Sequence, residues 1–142
     1  MSFLSFRSVI LCVAFVSLLA CQEMGWREYS RAGLEACARG DYGEAEKLLS
    51  AAVDEAEHFG PEDTRLVRVL VNLAGFYRTM GRHAEAEPLY DRALAMSEES
   101  LGLEHPTVAM VLENYAVSLR KTDREVEADE MEVRAKAIRA AN

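Results

Sequence analysis

The sequence predicts an all-α protein, an α-solenoid of three antiparallel helix pairs that follows an N-terminal targeting segment. Three observations point there. Half of the 142 residues are apolar and 28% are charged, with 21 alanines against eight glycines and three prolines, so helix formers dominate and breaks are few. Apolar residues recur with little strict alternation, which argues against sheets. Sliding the sequence against itself by 41 or 42 positions also superimposes three blocks, the mark of a stacked-repeat protein.

The segment before the repeats comes first. Met1 to Ser8 carries one charge, Arg7, and residues 9–20 are apolar but for Ser17. A membrane-spanning helix needs ~20 apolar residues, so this run is short for a span and suits the h-region of a signal peptide. It ends in Leu18-Leu19-Ala20-Cys21, which resembles the lipobox of bacterial lipoproteins. The resemblance implies cleavage before Cys21, lipid attachment at Cys21 and a lipid-anchored place in the bacterial cell envelope. Gln22, standing where aspartate would otherwise retain the protein, implies the periplasmic face of the outer membrane. One acyl chain holds a protein only marginally, whereas the three that bacterial lipoproteins carry hold it firmly. Ordinary cleavage, giving a soluble periplasmic adaptor, and an uncleaved anchor remain the alternatives. The organisation is then 1–20 signal peptide, 21–25 short lipid-anchored linker and 26–142 helical domain, with repeats at about 26–60, 64–102 and 106–140. Cys12 leaves with the signal peptide, and Cys37 reads as a buried or half-buried helical residue, or as a disulfide partner of Cys21 if that thiol stays unacylated.

In the repeats, Gly40-Asp41-Tyr42-Gly43-Glu44-Ala45 aligns with Gly81-Arg82-His83-Ala84-Glu85-Ala86 and with Asp123-Arg124-Glu125-Val126-Glu127-Ala128. Upstream, Asn72-Leu73-Ala74 recurs as Asn114-Tyr115-Ala116. The spacing predicts helices over 24–39, 43–58, 64–80, 84–100, 106–120 and 124–140. Gly40 and Gly81 fall where a helix ends in a left-handed residue. Asp63 is an N-cap candidate, and Pro106 suits a first helical position, where a missing N–H costs nothing. Pro88 lies near enough to a helix start to forfeit at most one backbone bond. Ala45, Ala86 and Ala128 share one repeated position, and Gly33, Ala74 and Ala116 another; small side chains there let paired helices cross closely. Helix 64–80 is apolar nearly all round, as a sandwiched element should be. Helix 124–140 shows one narrow apolar stripe, Ala128, Met131, Ala135 and Ile138, with charge elsewhere, the pattern of a solvated end cap. On helix 24–39, Trp26, Tyr29 and Leu34 read as exposed apolar residues through which a homodimer would form.

The two-helix block, with glycine at its turn and alanine after it, resembles a tetratricopeptide repeat. Gly81-Arg82-His83-Ala84-Glu85-Ala86-Glu87-Pro88-Leu89-Tyr90 and Leu101-Gly102-Leu103-Glu104-His105-Pro106-Thr107-Val108-Ala109 resemble the kinesin-light-chain variety. The resemblance implies a membrane-anchored, non-catalytic interaction module that binds a peptide or protein in a concave groove formed by the first helix of each pair. Carried over by position, the lining is Arg27, Ser30 and Leu34, then Arg68, Val71, Asn72, Gly75 and Arg78, then Met110, Glu113, Asn114, Val117, Arg120 and Lys121. Asn72 and Asn114 match asparagines that hold an extended backbone, while the neighbouring asparagine of the family is replaced by Val71 and Glu113. Arg68, Arg78, Arg120 and Lys121 make the groove locally basic and favour an acidic partner. A self-associating structural subunit is the other function compatible with so short a stack.

Other classes find little support. A net charge of −8, or 15 basic against 24 acidic side chains once residues 1–20 are removed, is the wrong sign for a nucleic-acid partner. His58, His83 and His105 all fall near turns without a metal-ligand companion, so no metal and no cofactor is expected. Glu85/Glu87 and Glu127/Asp129 are paired acids on a solvated helix, and no nucleophile motif or phosphate loop occurs; an enzyme is not expected. The lipoprotein expectation is checked by intact mass: the mature chain should begin at Cys21 and carry the acyl increment there, and an unmodified Cys21 would remove it.

Overall fold

The structure, a computed structural model, describes residues 25–60 and 63–142. The signal peptide, the cleavage site and Cys21 lie outside the described residues. Among the described residues six helices follow one another: α1 (Trp26–Arg39), α2 (Tyr42–Glu57), α3 (Thr64–Thr79), α4 (His83–Leu101), α5 (Pro106–Arg120) and α6 (Glu125–Ala141). The expected helices are thus found within one or two residues of their predicted ends. α1 packs on α2, α3 on α4 and α5 on α6 as hairpins; the hairpins stack through α2 on α3 and α4 on α5, and α3 also touches both α1 and α5. This is the three-hairpin solenoid.

Local chemistry explains the ends. Gly40 and Gly81 close α1 and α3 at φ of 82° and 72°, where a side chain would clash with the following carbonyl. Asp123 occupies the same place in the third copy at φ 58°, a conformation that a short acidic side chain tolerates. Asp63 caps α3, its carboxylate accepting the Arg65 N–H at 2.8 Å and pairing with the Arg65 guanidinium at 2.6 Å. That guanidinium holds the Asp63 carboxyl at about 2, below the ordinary aspartate range. At α5, His105 caps through Nδ1, which accepts the Thr107 N–H, and Pro106 takes the first helical position.

The core is built where small residues recur. Ala45, Ala86, Ala128, Ala74 and Ala116 are fully buried, and Gly33 is buried beside them. At Gly33 the crossing is tightest, since an added Cβ would lie 2.7 Å from Leu49 Cγ and 3.1 Å from the Leu49 backbone nitrogen. Leu66, Val67, Val69, Leu70, Leu73 and Phe76 of α3 are buried, while Arg68 is exposed and Asn72 and Gly75 are half-buried. Between hairpins, ion pairs repeat at equivalent positions. Arg82 reaches back to Glu46 at 2.8 Å and Arg124 to Glu87 at 2.5 Å; Arg92 pairs with Glu57, and Arg134 with Glu98. Such half-exposed pairs add ~0–1 kcal/mol each, so they set register while apolar burial supplies the stability.

Two expectations are corrected. Trp26 is only 8% exposed and Tyr29 is half-buried, because both pack into the core; of the proposed dimer face on α1 only Leu34 is open. On α6, Ala128, Ala135 and Ile138 are buried as expected, but the opposite face is not wholly charged: Val126 and Val133 stand 73% and 67% exposed. Gly33→Ala should cost about 1–3 kcal/mol by overpacking against Leu49, whereas Gly43→Ala, with open space around it, should stabilise by about 0.5 kcal/mol. Thermal unfolding of the two variants should move in opposite directions.

Candidate functional site

A groove of about 320 Å³ crosses the first helices of the three hairpins. α1 contributes Leu34 and Cys37, α3 contributes Val71, Asn72, Gly75, Phe76, Arg78 and Thr79, and α5 contributes Met110 and Asn114. Stacking places these residues together because every hairpin presents its first helix on the same side. Asn72 donates to the Ser30 hydroxyl at 2.8 Å, a bond from α3 to α1, and Asn114 donates to the Met110 carbonyl of its own helix at 2.9 Å. Both amide oxygens thus remain available as acceptors on the groove wall. Cys37 is free and half-buried here.

The cationic residues divide. Arg78 lies in the groove. Arg68 is exposed beside it, in an adjoining hollow of about 470 Å³ with Arg27, Arg31, Ser30, Leu34 and the acid Glu35. Arg27 also lies over the Trp26 ring, 5.2 Å from its centroid. Arg120, by contrast, is gripped by Glu132, Asp129 and Glu125 across the last hairpin. Lys121 caps the end of α5 away from the groove, and Glu113 is held by Arg139 at 2.9 Å. The structure therefore gathers Arg68, Arg78 and Asn72, with Asn114 at the edge, and leaves Arg120 and Lys121 outside.

Beneath the groove floor lies a feature that sequence reasoning missed. Tyr90 of α4 is completely buried, and its hydroxyl completes no hydrogen bond; Arg78 Nε is buried and equally unpartnered. Burial pushes the Tyr90 phenol up, and the nearby Arg78 charge offsets part of that rise. A Cβ on Gly75 would come 3.9 Å from this hydroxyl, so the side-chain-free Gly75 leaves only a thin roof over it. A glycine in a helix interior, which costs ~0.5–1 kcal/mol, was the one signal in the sequence. Tyr115 is the contrast. It stacks on Tyr90 with ring centroids 5.2 Å apart, but its hydroxyl donates to Asp91 at 2.9 Å and faces Glu87. Burial and these two carboxylates keep that phenol protonated well above its usual range.

A family model of the tetratricopeptide repeat matches residues 65–141. The chain belongs to the tetratricopeptide repeat family. Solved tetratricopeptide-type structures resemble it in fold. BtubC (BKLC) from P. vanneervenii is 24% identical over 82% of this chain and 46% of its own, with a TM-score of 0.75. A Podosopora anserina kinesin light chain with nearly identical TPR-like repeats is also 24% identical, covering 82% of this chain and 56% of that one at a TM-score of 0.71. A point variant of that kinesin light chain gives a TM-score of 0.72 at the same identity, over 82% of this chain and 55% of that one. This tetratricopeptide chain thus spans about half the length of the solved chains it matches. No curated protein matches it in sequence. Tetratricopeptide repeats are generally non-catalytic scaffolds for protein–protein interaction, and the groove lies where the first helices of such repeats face. Tyr90→Phe should leave stability unchanged or raise it by about 1 kcal/mol, since an unpaired buried hydroxyl is removed. Tyr115→Phe, which breaks a made bond, should lower it by about as much in denaturant titration.

Proposed function

We propose that the chain is a lipid-anchored tetratricopeptide module of the bacterial cell envelope, attached through Cys21, whose groove holds an extended acidic segment of a partner protein. One observation carries the choice of ligand: Arg27, Arg31, Arg68 and Arg78, against the single acid Glu35, gather around one groove and its adjoining hollow, although the chain as a whole carries a net charge of −8. On an acidic protein, a locally basic trough attracts carboxylates. Asn72 and Asn114 supply amide groups able both to donate to and accept from an extended backbone. The Leu34, Val71, Phe76 and Met110 surfaces between them suit apolar side chains spaced along the same segment. If Cys21 is not acylated, the same groove serves a soluble periplasmic adaptor, and extraction that needs no detergent distinguishes the two.

The test is a panel of extended peptides, acidic, neutral and basic, titrated against the full chain. Acidic peptides should bind best and weaken as salt rises. Arg68→Ala with Arg78→Ala should lower their affinity about tenfold or more, the loss of two charge-assisted contacts. Arg120→Ala should leave binding unchanged, because that side chain is occupied by α6. Equal binding of all three peptide classes, or indifference to Asn72→Ala with Arg78→Ala, would end the groove proposal.

A further inference from the structure

Among the described residues, α6 is packed on one side only. Ala128, Ala135 and Ile138 are buried, the latter two with Val108, Ala109 and Leu112 of α5. The opposite face centres on Val133, with Val126 one heptad before it and Ala140 one heptad after. Residues seven apart on a helix lie within ~20° of one another, so these three form a single apolar line, which Ala137 widens. The charges beside the line have a direction. Every ionisable side chain from Glu125 to Glu132 is acidic, and every one from Arg134 to Arg139 is basic. The change of sign falls at Val133, the central residue of Glu125–Ala141.

We propose that this face of α6 is a self-association surface that takes α6 of a second copy of this chain, antiparallel, about a two-fold axis at Val133. A symmetric interface matches each residue with the one equally far beyond the axis. Val126 then meets Ala140 of the second copy, while on the two flanks Asp129, which also pairs with Arg120, comes beside its Lys136, and Glu130 comes beside its Arg134, which also holds Glu98. A parallel pairing would set acid on acid and base on base, which repel. Lys136 is free to respond, since its side chain is 78% exposed and reaches Glu132 only at 3.6 Å. One helix pair buries less than the ~800 Å² per partner of a standard stable interface, so the dimer is weak and depends on concentration. The groove across α1, α3 and α5 stays open in it.

The test uses the full chain with Cys12, Cys21 and Cys37 changed to serine and single cysteines introduced on α6. Under mild oxidation Val133→Cys should cross-link to itself. Val126→Cys should not, because its two copies lie about 21 Å apart at 1.5 Å per residue, but it should cross-link to Ala140→Cys in a mixture. Sedimentation equilibrium of the unmodified full chain should show a monomer–dimer equilibrium. Val133→Glu should weaken it about tenfold or more, by desolvating a carboxylate without a partner, with unchanged far-UV circular dichroism. Should that variant misfold, Ala140→Glu places the charge at the end of the line instead. Three outcomes would each overturn the proposal: cross-linking of Val126→Cys to itself as readily as at Val133, a monomer at all concentrations, or a dimer indifferent to the carboxylate.

Discussion

The close crossing of paired helices on small side chains governs everything else in this molecule. Helices approach to about 8 Å only where the crossing residues are small, and here the small buried positions are Ala45, Ala86 and Ala128 on the second helices and Gly33, Ala74 and Ala116 on the first. Tight hairpins present broad flanks, and these flanks carry Leu66, Leu70, Tyr90 and Leu112 into the space between neighbours. A hairpin alone cannot cover such flanks. Stacking follows from that, and with stacking comes the alignment of α1, α3 and α5 along one side. The groove is therefore a consequence of how the core is closed, and its residues need no role in folding.

Polar contacts act on this frame in a different way. Arg82 with Glu46, Arg124 with Glu87, Arg92 with Glu57 and Arg134 with Glu98 tie consecutive second helices at matching heights. Each is half-exposed and worth little in free energy. Their effect is geometric, since a hairpin slipped by one turn would lose all of its pairs together. The same pairing engages a matching acid on each second helix. Arg27 and Arg31 of α1 and Arg68 and Arg78 of α3 are left around the groove and its hollow, which is how an acidic chain comes to hold a locally basic trough.

Among the described residues, the groove and the outer face of α6 are both left uncommitted by folding, and they differ in kind. The groove combines amide groups, apolar patches and cationic side chains over a buried phenol and an unpartnered Arg78 Nε, a mixture suited to a polypeptide segment. The outer face of α6 is a narrow apolar line between charges of opposite sign along its length, a pattern complementary to itself. Because they lie on different helices, a partner in one does not exclude a partner on the other.

The helices, their ends, the period and the small-residue crossings were all legible in the amino-acid order, because each depends on interactions within a few residues of the chain or on a pattern repeated three times. Asp63, Pro106 and Gly40 could be read for that reason, as could Asn72 and Asn114 as groove positions. Which cations are free emerged only with the packing. Arg78 and Arg120 sit at similar places in successive first helices, yet Arg120 meets Glu132 and Asp129 of α6 while Arg78 lies against Tyr90 of α4. Packing also buries Trp26 and leaves Val126 and Val133 open, since which face of a helix meets the core depends on the direction from which its neighbour arrives. Ion pairing and burial are properties of distances between elements, and those distances are absent from any single stretch of sequence.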